Sequence, residues 1–440
     1  MIRRNIMIAI ALFVFASCQK TTLEREKNPI DISGNSMKSA NVPVAGSVCV
    51  AGYEKNSNGK TVAKYWIDGD PINLTNGVFN AVATSITVVN GDVYVAGWEE
   101  NNNGIPNAKY WINGVSVPLT NGIYFSRAYA ITVVGTDVYV AGEEDYTNGN
   151  GNFVTAAKYW VNGNEVILPS TSGAQISGMA VFNGNVYISG NDEGSTIPKL
   201  WINGISSTLN DPSFNNWSEN TGYTTGIVLS DNSVYIAGFY LKPGIGCSQA
   251  FPTEKIAVYW KDGECLEVDN SDETGYYGAL FTQNFSYIHM STMGGLLGVF
   301  EYSSAQGIAV SNGDVYTVNQ VLKNTSDPST KINGALCPGD LSPDPYHYKY
   351  STKESIYVMK NNDALDRLPS DNYNNERQAE GRGIIVDGAD VYVVGNQLGT
   401  GPLYLNSNNT SVGIYWKNSI PFVLTDGTRE AVANAIVVAK

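Results

Sequence analysis

An all-β fold of seven four-stranded antiparallel units, closed into a ring, is predicted by three observations. A strand motif recurs seven times, a second motif follows each copy, and the two ends of the array complete one another. Units of this kind and length are the blades of a β-propeller.

The first motif is Asp92-Val93-Tyr94-Val95-Ala96-Gly97, and its copies end at Gly52, Gly97, Gly142, Gly190, Gly238, Asn319 and Gly395. The second is Lys64-Tyr65-Trp66-Ile67-Asp68-Gly69, with later copies at 109–114, 158–163, 199–204, 258–263, 356–361 and 414–419. Within a unit, an apolar strand such as Ile86–Val89 meets Asn90-Gly91. That dipeptide suits a two-residue hairpin because both central residues need positive φ. The first motif is the second strand and alternates Val with Tyr. A polar loop, the Tyr-Trp strand, another Asn-Gly or Asp-Gly turn and a short strand such as Val115–Leu119 complete the unit.

The array begins near Ser47 with a second strand and stops at Ala435–Lys440 with a first strand. Pairing them closes the ring and removes the exposed edges. Twelve residues before each motif end stand Ser85, Ala130, Gly178, Gly226, Gly307 and Gly383, with Ala435 in the closing strand, all small enough for the crowded centre. The preceding residues, Thr84, Tyr129, Ser177, Thr225, Gln306, Arg382 and Asn434, form a polar ring expected at the channel mouth. Arg382 is its only charge and suits a carboxylate or phosphate.

The long connections gather on the face opposite the tight hairpins, over blades five to seven. They carry Tyr287 and His289, then Tyr346 and His347, with Trp217 in the connection before blade five. Aromatic rings of this kind stack on sugars and anchor interfaces. The expected ligand-binding set is therefore Tyr129, Trp217, Tyr287, His289, Gln306, Tyr346, His347 and Arg382.

Composition narrows the classes. The 440 residues carry a net charge of −14 and no basic run, which excludes a general nucleic-acid binder. With His289 and His347 the only histidines, a three-histidine metal site is impossible; no metal and no cofactor are expected. The polar ring holds no carboxylate, and no nucleophile-elbow, phosphate-loop or zinc-protease motif is present. Acidic residues such as Glu219, Asp269, Asp272, Glu273 and Glu430 fall in nearby loops. Binding is expected rather than catalysis.

At the N-terminus, Arg3 and Arg4 precede the apolar run Ile6–Ala16, then Ser17 and Cys18. This is a secretory signal too short to span a bilayer as a permanent anchor. Ala16-Ser17-Cys18 resembles the lipobox of bacterial lipoproteins, with Phe15 where Leu is usual. The resemblance implies cleavage before Cys18 and lipid on it, and Gln19 in place of Asp implies no inner-membrane retention. The expected organisation is a signal peptide at 1–17, a flexible tether at 18–45 and the propeller at 46–440. Over 46–440 the repeats resemble bacterial β-propeller families with GxVYVxG followed by a Trp-containing Gly turn. Those families are defined by fold, so they imply no activity.

These readings converge on an exported, outer-membrane lipoprotein, periplasmic or surface-exposed. Its propeller is expected to bind a glycan or protein through one loop-rich face, touching the membrane only through its lipid. A polysaccharide-acting hydrolase or lyase and a structural subunit of an envelope complex are the alternatives. Cys49 replaces a strand Tyr and is expected to be a buried thiol. Cys265 follows the Asp262-Gly263 turn, whereas Cys247 and Cys337 lie in neighbouring blades' loops on the opposite face. A disulfide, where one forms, is expected between Cys247 and Cys337.

Overall fold

The structure, a computed structural model, describes residues 42–147, 153–169, 174–192, 197–209, 222–242, 254–268, 300–333, 346–361, 363–368, 379–398 and 410–440. These form seven sheets of four antiparallel strands and no helix. Blade one pairs Ala431–Val438 with Val48–Lys55, so the closing strand takes the innermost position. Blades two to seven each run from the innermost strand outward in chain order, and the innermost strands touch in cyclic sequence.

The tight hairpins follow from the Asn-Gly and Asp-Gly steps. Asn90 and Gly91 have φ of 53° and 82°, and Asp68 and Gly69 have 51° and 91°. The outer-hairpin residue also reaches inward. In every blade its side-chain oxygen accepts from the backbone N–H at the start of the second strand, as in Asn113 with Val93 (2.9 Å), Asp262 with Val234 (2.8 Å) and Asn418 with Val391 (2.8 Å). In blades two, three, six and seven its amide also donates to the Asp that opens the second strand, as Asn113 does to Asp92. This accounts for the recurring Asp of one motif and Asn of the other.

The motif glycine has a different cause. A Cβ on Gly97 would collide with the carbonyl oxygen of Val82, and Gly52, Gly142, Gly190, Gly238 and Gly395 meet the equivalent carbonyl of their own inner strands. That close approach arises from a β-bulge present in all seven blades. The extra, unpaired residue is Thr84, Tyr129, Ser177, Thr225, Gln306, Arg382 or Asn434. The polar ring is thus a ring of bulges, which tilts these side chains out of the ladder. Blade six has Asn319 where the glycine stands elsewhere; it is fully buried and its Oδ1 finds no partner.

The core is divided among the joints. Seven apolar clusters each join two neighbouring blades. Each contains one large side chain from the third strand of the later blade: Trp66, Trp111, Trp160, Trp201, Trp260, Met359 or Trp416. All are essentially inaccessible to solvent. At roughly 200 Å² and ~25 cal/mol per Å², burial of one Trp contributes on the order of 5 kcal/mol, an upper bound. The small inner residues work as expected at Gly178 and Gly307, where an added Cβ would stand 3.0 Å from Ile227 Cγ2 and 3.1 Å from Gly383 Cα. Gly226 is the exception, with nothing within 4 Å.

Blade six departs from the expected irregular connection. Its second and third strands run Asp314–Asn333 and Tyr346–Lys360, far longer than Asp92–Glu100. The physical reason lies in the sequence: Tyr346, Tyr348 and Tyr350 alternate with polar residues at the period of a strand.

Candidate ligand-binding face

Three residues per blade approach the channel mouth from the face opposite the tight hairpins. They are the bulge residue, the residue two before it, and the residue after the motif glycine, which pairs with that second one. In blade three these are Tyr129, Arg127 and Glu143; in blade seven, Arg382, Glu380 and Asn396. The corresponding residues of blades one, two, four and five are uncharged.

Most bulge side chains staple one blade to the next. Thr84 Oγ1 donates to Ala128 O (2.8 Å), Thr225 Oγ1 to Ala305 O (2.7 Å) and Asn434 Nδ2 to Ala83 O (2.8 Å). Ser177 Oγ meets Thr224 Oγ1 at 2.7 Å. A hydroxyl or amide is therefore needed here to satisfy a carbonyl left over by the bulge.

Tyr129 breaks this pattern by turning to its own blade, and Arg382 makes its two shorter bonds within its own. The Tyr129 hydroxyl donates to Glu143, which is 8% exposed. Burial, then the Glu143 charge, push the Tyr129 phenol far above its ordinary range. Arg127 pairs with Glu143 across the strands. Its guanidinium carbon lies 4.8 Å from the centre of the Trp98 ring and 4.5 Å from that of Phe125, a cation held between aromatic faces. Its Nε is buried without a partner.

The second charged cluster is more open. Arg382 Nη2 donates to Glu380 Oε2 (2.8 Å), its Nε to Asn396 Oδ1 (3.1 Å), and its Nη1 reaches Asn434 Oδ1 at 3.5 Å. Beside it, Lys55 donates to Glu430 at 2.6 Å across the opening of blade one. Burial raises the Tyr53 phenol, Glu430 raises it further, and Arg382 and Lys55 oppose the shift. The mouth thus places aromatic rings beside Arg127 and Glu143 at blade three, and an Arg382–Glu380 ion pair at blade seven. Such a surface suits a polar, ring-containing ligand or a protein loop.

Of the expected site residues, Tyr129, Gln306 and Arg382 occupy equivalent bulge positions. Tyr346 and His347 lie on a strand, their backbones paired with Asn333 and Ile332. Trp217, Tyr287, His289, Cys18, Cys247 and Cys337 fall outside the described residues. Cys49 is fully buried, and Cys265 pairs with Trp260 beside the hairpin turn. Sequence reasoning missed Arg127, Glu143 and Glu380. The available signal was position, since the residue after each motif glycine stands at a fixed offset, but its identity does not repeat.

No protein-family model and no curated protein matches the chain. Among solved structures it is similar to a puromycin-hydrolyzing peptidase of Mycobacterium tuberculosis, at 11% identity and a TM-score of 0.47, over 89% of this chain and 55% of that one. It is also similar to the polysaccharide lyase Uly1 (10% identity, TM-score 0.36, 79% and 88% of the two chains) and to AztD of Citrobacter koseri (10%, 0.25, 90% and 98%). The chain spans about half the length of the peptidase. At these identities and TM-scores, nothing about those proteins is carried over to this chain.

Proposed function

We propose that the protein is an exported, lipid-anchored β-propeller of the outer membrane that binds a glycan or protein ligand through the face described above. The observation that carries this reading is the blade-three cluster of Arg127, Tyr129 and Glu143 against Trp98 and Phe125. Six of seven bulge positions carry residues other than Tyr, and stapling at Thr84, Thr225 and Asn434 needs only a short polar side chain. A Tyr backed by a buried Glu and a ring-flanked Arg exceeds what stapling requires. Binding is favoured over polysaccharide cleavage because Glu143 is engaged by Tyr129 and Glu380 by Arg382, whereas hydrolysis needs a carboxylate pair available to substrate.

Export and anchoring rest on the apolar run Ile6–Ala16 and on Cys18. The test of binding is a glycan array, together with envelope-extract capture and mass-spectrometric identification, using the full-length protein in detergent. Trp98→Ala and Arg382→Ala should abolish retention, while Lys261→Ala on the hairpin face should not. Retention unchanged in the first two variants would reject the reading. Anchoring is tested separately: Cys18→Ala should move the protein out of the detergent phase, and unchanged partitioning would reject lipidation.

A further inference from the structure

The hairpin face changes character halfway round the ring. Three positions share one side of each blade there: the end of the first strand, the Tyr of the first motif, and the end of the third strand, which pairs with that Tyr. In blades two, three and four the third-strand residues are Ile112, Val161 and Ile202. In blades five, six and seven they are Lys261, Lys360 and Lys417. The first-strand ends divide in the same way, with Val89, Val134 and Phe182 followed by Ser230, Ser311 and Asp387. In the second half each Lys Nζ lies over its Tyr ring, at 5.4, 5.5 and 5.2 Å from the centre, and Tyr235, Tyr316 and Tyr392 are buried. In the first half Tyr94, Tyr139 and Tyr187 pair with Ile or Val instead and are only half-buried.

The apolar half faces solvent. Val115 and Ile205, which open the fourth strands of blades two and four, are 68% and 77% exposed, and Val134, Phe182 and Ile202 are exposed as well. Between them Ile112 and Val161 are partly buried against the apolar clusters of the joints. The exposed groups thus form an arc over three neighbouring blades, unlike the isolated apolar residues of an ordinary surface. The chain enters the propeller at this arc. A Cβ on Gly91, in the inner hairpin of blade two, would stand 3.7 Å from Val42 Cγ1. Val42 and Val44 are themselves exposed and extend the apolar surface. Cys18 precedes Val42 by 42 − 18 = 24 residues.

We infer that the hairpin face over blades two to four docks on a zwitterionic lipid surface, with Val115, Val134, Phe182 and Ile205 among the headgroups and upper acyl chains. This rests on the anchoring through Cys18 proposed above. Tyr94, Tyr139 and Tyr187 suit the same level, because a tyrosine keeps its ring at the apolar boundary and its hydroxyl among the headgroups. Attachment through Cys18 makes the docking intramolecular, so a modest apolar area is sufficient. Charge selects the lipid: the chain carries −14, and Asp92 and Asp137 stand at these hairpins, which disfavours anionic headgroups. Docking in this way turns the channel mouth, with Arg127 and Arg382, away from the bilayer.

The test is photolabelling of the full-length protein in vesicles of phosphatidylcholine and phosphatidylethanolamine that contain a lipid with a diazirine in its acyl chain. Labelled positions are assigned to single residues by tandem mass spectrometry. Label should fall on Val115, Val134, Phe182 and Ile205. Val78 and Ile123 on the opposite face are 59% and 61% exposed and serve as the control, since exposure alone would label them equally. The triple variant Val115→Asp, Phe182→Asp, Ile205→Asp alters only exposed side chains and is expected to fold. It should lose label on the hairpin face several-fold while its detergent partitioning stays unchanged. Equal label at Val78 and Ile123, or a triple variant labelled like the native protein, would overturn the docking. Hairpin-face cross-links between two copies in place of lipid label would overturn it too. Partitioning separates this outcome from the anchoring: label on the hairpin face of an unlipidated protein refutes the anchor and upholds the surface, and a lipidated protein without that label refutes the surface alone. Loss of both refutes both.

Discussion

The hydroxyl of Thr84 donates to the carbonyl of Ala128 at 2.8 Å, across the joint between blades two and three. Thr84 is the bulged residue of its strand, and Ala128 immediately precedes the bulge of the next. One irregularity thus supplies the donor while its neighbour supplies the acceptor. Thr225 with Ala305 and Asn434 with Ala83 repeat the arrangement.

Replacing Thr225 with Val keeps the shape and removes the donor to Ala305 O. The expected loss is about 1 kcal/mol, and Thr84→Val should cost a similar amount. Their joints are well separated around the ring, so the double variant should show the sum of both losses in denaturant unfolding. A marked excess over additivity would mean that the staples act as one ring-wide network.

Gly97→Ala places a methyl group against the Val82 carbonyl, where only backbone movement gives relief. The expected cost is about 3 kcal/mol. Gly135→Ala meets no atom within 4 Å but has φ of 63°, and should cost about 1–2 kcal/mol. Thermal melts of the two variants should rank in that order.

Lys158 is nearly buried between Glu144 and Glu165, at 2.7 Å from each. Blade seven solves the same position without charge, using Ile414 and Gln397, both buried. Lys158→Ile alone strands Glu144 and should cost about 3 kcal/mol. Adding Glu144→Gln, which grafts the blade-seven arrangement, should recover most of it. Unfolding curves for the single and double variants provide the check.

Cys49 carries a thiol pushed up to about 12 by burial, with the Asp68 charge adding to it. An unfolded thiol ionises near 9.0, so between about 9 and 12 the unfolded chain holds fewer protons than the folded one. Stability should fall as pH rises through that window, and Cys49→Ala should flatten the fall. The native thiol should also resist alkylation at pH values where the urea-unfolded protein reacts.

What was legible in the sequence was what repeats. Asn113 and Asp92 recur because every hairpin needs the same bonds, and Trp111 recurs because every joint needs the same filling. The blade count, the closing strand and the column Ser85 to Ala435 follow from this. Glu143 and Arg127 escaped because the mouth has no common requirement: their counterparts in blade two are Trp98 and Val82. The bulges were also hidden, since an unpaired residue leaves no mark on the alternation of Val and Tyr. The long strands of blade six were marked only by the spacing of Tyr346, Tyr348 and Tyr350.

Glu54 pairs with Ala431, a separation of 431 − 54 = 377 residues. Hairpins such as Val48–Lys55 with Thr61–Ile67 close short loops and can form early, whereas this pairing must join distant ends of the array. Until it does, Val48–Lys55 presents an open row of amides and carbonyls to any chain nearby. Ala431–Val438 of a second molecule would fit that row as well as its own, so crowded folding favours exchanged pairs at this one blade. Supplying Ala431–Val438 as a free peptide during refolding should occupy the gap and lower the yield of monomer.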